Sequence, residues 1–146
     1  MNGTVVIAAI IGLTTIAPYY SILRAQQATS RSVLDGVYTE EQAKRGEAAY
    51  GTTCSSCHGA TLLGIEMAPA LTGEAFTSKW TDATVRDLFQ KIRESMPADD
   101  PGTLSNRRTA DIVAYVLSVG KFPPGKTELG SETEALKQIR IEAPKP

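Results

Sequence analysis

Apolar residues recur at helical spacing in three segments of the chain, whereas no segment shows convincing period-two alternation. The first segment begins at Thr39, which is predicted to form a capping box with Gln42. The second spans residues 83–95, and the third follows Ser105 as its N-cap and ends with Gly120 in the C′ position. The apolar faces consist of Ala43, Gly46 and Tyr50, then Val85, Leu88, Phe89 and Ile92, and finally Ile112, Tyr115, Val116 and Val119. The pattern predicts an all-α domain.

The stretch between the first two predicted helices, residues 51–80, shows no periodicity. An irregular stretch of this length is uncommon in a small domain and makes sense when it wraps a bulky non-protein core. The last part of the chain, residues 123–146, is mostly polar. A capping-box pattern at residues 131–134 predicts a short helix there, and a flexible tail is the alternative.

An apolar run at residues 5–17 precedes the first charged residue, Arg24. Its length is typical of the hydrophobic region of a signal peptide and short for a membrane span of about 20 residues. We therefore predict a signal peptide over residues 1–25, with an uncleaved membrane anchor as the alternative. Residues 26–37 are then a linker, residues 38–122 form the folded domain, and the remainder is a C-terminal tail.

Composition narrows the range of functions. The chain has 146 residues, which suits one domain, and its 15 basic and 16 acidic residues give a net charge of −1. A nucleic-acid-binding domain usually carries a basic surplus, so we expect no nucleic-acid partner. Two cysteines and a single histidine also exclude sites that need several imidazoles from one chain, such as a three-histidine zinc site.

Both cysteines and the histidine fall in one motif, Cys54-Ser55-Ser56-Cys57-His58. This C-x-x-C-H spacing is typical of covalent haem attachment, in which two sulfurs meet two former vinyl groups on one porphyrin edge and the next residue turns its imidazole to the iron. A disulfide, a thiol redox pair and half of a zinc site are the alternatives. The redox pair lacks a βαβ context and the zinc site lacks a second Cys/His pair. The motif therefore predicts one haem c for each chain.

His58 can fill only one axial position on the iron, so a second ligand has to be another residue type or be absent. Met96, followed by Pro97 at the end of the second helix, is the candidate, because a soft thioether favours ferrous haem and Met/His pairs occur in cytochromes c. Met67 is its rival. Alternatively, Met96 extends the apolar face of its helix and belongs to the core.

Further motifs make the chain resemble a bacterial monohaem class I cytochrome c over residues 38–122. The motifs are Gly46-x-x-x-Tyr50-x-x-x-Cys54 in the first helix, Ile112 and Tyr115 in the last, and Met96-Pro97 followed by Pro101-Gly102-x-Leu104-Ser105. The resemblance implies the class I cytochrome c fold, with three to four helices and long loops around one covalently bound haem. It also implies that the first and last helices cross closely at Gly46.

The same resemblance implies roles for three more residues. Pro69 and Leu71 belong to the segment that passes beneath the histidine, and the Pro69 carbonyl would accept a hydrogen bond from His58 Nδ1. Trp80 would donate its indole N–H to a haem propionate, and simple packing against the haem is the alternative. The predicted cofactor-binding residues are therefore Cys54, Cys57, His58, Pro69, Leu71, Trp80 and Met96, with His58 and Met96 on the iron.

These features predict one-electron transfer and not enzyme catalysis, because an iron with both axial positions filled has no site for a substrate. The expected partners are a dehydrogenase, a membrane electron-transfer complex or a terminal oxidase, in the periplasm. The chain would be a monomer or a subunit of a complex, in contact with a membrane only if its N-terminal segment is uncleaved. A dedicated cytochrome subunit of a quinoprotein-type dehydrogenase is the alternative, and a haem enzyme or gas sensor is a further one.

Overall fold

The computed structural model describes residues 30–66 and 68–143. The predicted signal peptide and the rival ligand Met67 lie outside the described residues. In chain order, the elements are strand β1 (Arg31–Ser32), a 3₁₀ helix (Val33–Asp35), helices α1 (Glu40–Thr53), α2 (Ser55–His58), α3 (Gly73–Trp80), α4 (Val85–Ser95), α5 (Asn106–Val119) and α6 (Thr133–Lys137), and strand β2 (Ile139–Arg140). The described part is mostly helical, and none of its helices is both long and apolar enough to cross a bilayer.

Helices α1 and α5 begin at the predicted N-caps. Thr39 Oγ1 accepts a hydrogen bond from the Gln42 N–H at 3.1 Å, and Ser105 Oγ accepts one from the Arg108 N–H at 3.2 Å. Each cap satisfies a backbone donor that has no partner inside its helix. Both helix starts are therefore confirmed.

Helix α4 begins two residues later than predicted because Thr84 is its N-cap. The Thr84 N–H donates to the Asp87 carboxylate at 2.9 Å, and the Thr84 side chain accepts from the Asp87 N–H, which completes a capping box. The hydrogen bonds from the Thr84 backbone and side chain hold the pKa of Asp87 below its usual range. The negative charge that this preserves lies in the first turn of the helix, where it is stabilising.

Helices α1 and α5 cross in close contact and form the most extensive helix interface of the described part. At the crossing, a Cβ on Gly46 would stand 1.8 Å from the Asp111 carbonyl oxygen and 2.8 Å from the Tyr115 Cβ, so only glycine fits. Arg45 spans the interface by pairing with Asp111 at 3.0 Å and with Glu128 at 2.9 Å. The structure therefore contains the close helix crossing at Gly46 that the resemblance implies.

Three predictions about helix ends are wrong in detail. Gln42 does not complete a capping box, because its buried side chain exchanges two hydrogen bonds with the Leu129 backbone, at 2.9 and 2.7 Å. After α5, Gly120 has a φ of −68°, and Lys121 is the left-handed residue with a φ of 66°. The predicted short helix is present as α6, but its N-cap, Glu132, makes no side-chain capping bond.

Segments on both sides of residues 38–122 pack into the same core as that range. Strand β1 pairs in parallel with β2, and Val33 is fully buried just after β1. Ile141, also fully buried, donates its N–H to the Ala83 carbonyl at 2.8 Å. Residues 30–37 are therefore not a linker, and residues 123–143 are not a flexible tail, because apolar side chains from both segments complete the core.

The stretch expected to be irregular, residues 51–80, is only partly so. It contains the end of α1, all of α2 and all of α3, which leaves residues 59–72 as the loop. This is why the described part has six α-helices where three to four were expected. Beside the main core lies a smaller apolar cluster of Ala49, Leu104 and Ile112.

Candidate functional site

The two cysteines and the histidine lie on one helical turn at the end of α1. Cys54 donates its N–H to the Tyr50 carbonyl at 2.8 Å, and it is both the C-cap of α1 and the N-cap of α2. The His58 N–H then donates to the Cys54 carbonyl at 2.9 Å, and the Cys57 N–H to the same carbonyl at 3.2 Å. Because positions i, i+3 and i+4 share a helix face, the two thiols and the imidazole lie on one side of the turn.

The His58 ring is fixed by a backbone carbonyl. The residue is 8% exposed, and its Nδ1 lies 2.9 Å from the Pro69 carbonyl oxygen. A carbonyl can only accept, so Nδ1 carries the proton and Nε2 is the nitrogen with a lone pair for a metal. Such a bond orients the ring and raises its basicity as a ligand. The structure thus places His58 and Pro69 in the arrangement that the resemblance implies.

The chain after His58 folds back toward the imidazole through two glycines with left-handed backbones. Gly59 has a φ of +74° and Gly64 a φ of +76°. A Cβ on Gly64 would lie 2.6 Å from the Ala68 carbonyl oxygen, so a side chain there would force this tight turn open. The Gly64 N–H donates to the His58 carbonyl at 3.1 Å. The turn thereby brings the Pro69 carbonyl to the ring.

Tyr50 connects the crossing of α1 and α5 to the cysteine turn. It is 2% exposed, its hydroxyl donates to the Gly59 carbonyl at 2.6 Å, and its ring centroid lies 5.4 Å from that of Tyr115. Burial, followed by smaller charge effects from Cys54 and Tyr115, raises the pKa of Tyr50 to about 12. The sequence pattern places Tyr50 on an apolar face but does not predict the hydrogen bond of its hydroxyl. That bond could have been expected, because a buried tyrosine O–H usually finds an acceptor.

The Tyr50→Phe variant is expected to be less stable by about 1 kcal/mol at neutral pH, because the Gly59 carbonyl loses its donor. The folded pKa of Tyr50 lies above the unfolded value of about 10, so its contribution is complete below about pH 10 and declines between about pH 10 and 12. The stability difference between the two proteins should therefore shrink over that range. Urea unfolding at several alkaline pH values measures it, and a constant difference would contradict the assignment.

Both thiols are free, and the surroundings of Cys54 favour its protonated form. Cys57 is exposed, Cys54 is half-buried, and burial raises the pKa of the Cys54 thiol although the charge of Arg108 acts in the opposite direction. A catalytic C-x-x-C pair needs a lowered pKa. Within the described ranges, no group of three His, Cys, Asp or Glu side chains could hold a metal ion. Two free thiols beside one oriented imidazole are the donor set that a haem c requires.

Met96 lies where α4 ends. Its N–H donates to the Ile92 carbonyl at 3.0 Å, its backbone is extended with φ −128° and ψ 149°, and the residue is half-buried. One turn earlier, Ile92 packs against the smaller apolar cluster, and so does Cys54. Leu104, at the far end of the loop after Met96, is a member of that cluster. The structure therefore assembles the Met96 segment and the cysteine turn around the same apolar group, while iron ligation by Met96 stays a prediction.

Leu71 and Trp80, the other predicted cofactor residues, are half-buried against the main core. The Leu71 N–H donates to the carbonyl of the buried Leu62 at 2.8 Å, which closes the base of the loop after His58. Trp80 is the last residue of α3, with its ring 6.3 Å from the Phe76 ring and 5.7 Å from the Lys79 Nζ. The bond from its indole N–H to a propionate stays a prediction.

Two large apolar side chains are exposed in the loop that returns from His58 to Pro69. Leu63 is 66% exposed and Ile65 is 51% exposed. Exposed apolar side chains beside a site are available for contact with a partner or ligand. The sequence pattern did not single them out, because exposure depends on how the loop folds.

A helical domain with two free thiols and a carbonyl-oriented imidazole on one turn defines the class of c-type cytochrome domains. The family described as "Cytochrome C oxidase, cbb3-type, subunit III" matches residues 41–116, more than half of the chain. The chain belongs to this family of c-type cytochrome domains. It is a class I c-type cytochrome with covalently bound haem c, and it functions in haem-based electron transfer.

A solved structure supports the same fold. One chain in the crystal structure of the sulfane dehydrogenase SoxCD from Paracoccus pantotrophus matches with a TM-score of 0.52 and 22% sequence identity. The match covers 90% of this chain and 68% of the other. At this level of identity the likeness shows the fold alone. No curated protein matches this chain.

Proposed function

We propose that the protein carries single electrons on a haem c that Cys54 and Cys57 attach and whose iron is ligated by His58 and Met96. The observation that carries the proposal is the 2.9 Å separation between His58 Nδ1 and the Pro69 carbonyl oxygen, on a turn with two free thiols. Orienting an imidazole in this way contributes nothing to a disulfide or a thiol redox pair. It is what an axial histidine ligand needs.

Each residue has its own task in this function. When bound, the haem supplies a one-electron Fe(III)/Fe(II) couple. Cys54 and Cys57 would hold it covalently, and His58 would present Nε2 from a ring that the Pro69 carbonyl fixes. Met96 would complete the coordination with a soft sulfur, which favours the ferrous state and raises the reduction potential.

Replacing Met96 by alanine is expected to lower the reduction potential by on the order of 0.1 V, a modest part of the range of about 0.8 V that axial ligands span. The ferric protein should also lose the long-wavelength absorption band of a sulfur–iron bond. The matched control, Met67→Ala, removes the rival thioether and should keep both the band and the potential. Visible spectra and redox titration of the two haem-loaded variants measure these effects.

Two other outcomes would contradict ligation by Met96. A band that disappears only in Met67→Ala would assign the ligand to Met67. A band that survives in both variants would mean that neither methionine ligates the iron. Rapid binding of carbon monoxide to the ferrous unsubstituted protein would instead favour a gas sensor or haem enzyme.

We further propose that the partners are periplasmic redox proteins that contact the exposed side chains of Leu63 and Ile65. Residues 55–70, which include Leu63 and Ile65, contain no lysine or arginine. This segment therefore offers no ring of basic side chains that could attract an acidic partner. A small apolar contact, below about 1,200 Å² in total, suits a transient redox encounter. The apolar run at residues 5–17 supports export to the periplasm, either as a signal peptide or as an anchor.

A dedicated cytochrome subunit of a larger dehydrogenase is the second candidate. The likeness to a chain in the SoxCD sulfane dehydrogenase favours testing it, although one fold hosts many functions. Purification from the native cells at high ionic strength distinguishes the two. A free carrier elutes near the mass of one chain, whereas a dedicated subunit elutes with its enzyme.

A further inference from the structure

The loop that follows Met96 is held closed by a side chain from the helix before it. Arg93, in the last turn of α4, donates from Nη1 to the Gly102 carbonyl at 2.6 Å and from Nε to Asn106 Oδ1 at 3.2 Å. Gly102 lies within the loop, and Asn106 is the first residue of α5. One guanidinium therefore joins the end of α4, the loop and the start of α5.

Bonds inside the loop shape it without attaching it to α4. The Asp100 N–H donates to the Pro97 carbonyl at 3.1 Å, and Thr103 Oγ1 donates to the Asp100 carbonyl at 2.8 Å. Gly102 has a φ of +81°, and a Cβ there would lie 3.9 Å from Arg93 Nη1. The guanidinium thus lies against the loop backbone and ties it across to α4.

Arginine is suited to this contact in a way that lysine is not. Its planar guanidinium holds several N–H donors in a fixed arrangement and can bond two acceptors at once, whereas an ammonium group is a single point charge on a flexible stem. Both Arg93 bonds are exposed to solvent, beside an open groove of about 460 Å³. Their loss should therefore loosen the loop and leave the core folded.

We infer that Arg93 is a positioning residue that keeps the Met96 sulfur on the haem iron by fixing the loop after Met96. The inference rests on the proposed ligation by Met96. Arg93 precedes Met96 by three residues and holds the middle of the loop that leaves it, so the bond to Gly102 limits how far the Met96 segment can swing away. Without the guanidinium, an added ligand competes more easily with the sulfur.

Imidazole binding to the ferric haem-loaded protein tests the inference, because imidazole competes with the Met96 sulfur for one axial position. Arg93→Gln is expected to bind imidazole about fivefold more tightly than the unsubstituted protein. This is the change in affinity that corresponds to the net free energy of one ordinary hydrogen bond. Arg93→Lys keeps the charge but reaches one acceptor at a time, so its affinity should be intermediate. Asn106→Ala removes one of the two acceptors and should shift the affinity in the same direction.

Two matched controls separate positioning from charge and from overall stability. Lys91→Gln removes an exposed positive charge from the same helix and should leave imidazole affinity unchanged. Arg45→Gln breaks the pairs with Asp111 and Glu128, so it should lower the free energy of unfolding without changing imidazole affinity.

If Arg93→Gln binds imidazole no more tightly than Lys91→Gln, and both keep the sulfur–iron band, the inference is overturned. Ligation by Met96 would then still stand. Equally increased affinity in Arg93→Gln and Arg45→Gln would also overturn it, because the cause would then be general destabilisation. Persistence of the band in Met96→Ala would instead refute the proposed ligation by Met96, on which the inference rests. If Arg93→Gln does not fold, unchanged affinity in Asn106→Ala refutes the inference and increased affinity supports it.

Discussion

The Gly46→Ala variant is expected to lose about 3 kcal/mol of unfolding free energy, at the upper end of the usual cost of overpacking. The added Cβ would stand 1.8 Å from the Asp111 carbonyl oxygen, a separation that no pair of unbonded atoms can adopt. The obstacle is backbone, which cannot rotate away as a side chain would, so α1 and α5 have to move apart. Because Cys54 follows α1 directly as its C-cap, that movement should also disturb the haem-attachment turn.

Gly51→Ala is the matched control for this variant. Gly51 lies in the same helix, and a Cβ there would have no atom within 4 Å. Replacing a helical glycine by alanine without a clash should raise stability by about 0.5–1 kcal/mol. Denaturant unfolding of both haem-loaded variants measures the contrast, and equal stabilities would show that the helices tolerate a side chain at their crossing.

Replacing both Cys54 and Cys57 by serine is expected to abolish covalent haem retention completely. The chain has two cysteines in all, so the double variant contains no thiol that could form a thioether. Each single variant keeps one thiol and should retain haem through one bond. Haem staining after denaturing electrophoresis measures retention, because only covalently attached haem survives unfolding.

Ser56→Ala is the control for the cysteine variants, since it changes an exposed residue inside the same turn and leaves both thiols in place. It should retain haem as the unsubstituted protein does. Haem that stays on the denatured double variant would show attachment through another residue. Loss of haem from Ser56→Ala would show that the whole turn, and not the thiols alone, determines retention.

Features that depend on neighbouring residues could be predicted from the sequence. The N-caps at Thr39 and Ser105, and the helical turn that carries the cysteines and His58, each depend on residues no more than four positions apart. The contact of His58 with the Pro69 carbonyl could be anticipated only from the resemblance to class I cytochromes c. Spacing alone does not say which carbonyl the loop brings back to the ring.

Contacts between distant parts of the chain could not be predicted from local patterns. Gln42 satisfies the pattern of a capping box, yet it bonds the Leu129 backbone, because the tail folds over α1 and buries the amide. Likewise, Val33 and Ile141 lie in segments that are polar enough to pass for a linker and a tail. Nothing near them in sequence shows that they meet the core; only the folded chain does.

The carbonyl that fixes His58 has a consequence for how electrons and protons are coupled. The oxygen of Pro69 accepts a hydrogen bond but has no proton to gain or lose near neutral pH, unlike the carboxylate that orients histidine at many metal sites. A ring held by this carbonyl has no partner at Nδ1 that could take its proton. With His58 on the iron as proposed, a change of charge there would find no proton acceptor at the Nδ1 side of the ring, which suits transfer of an electron alone.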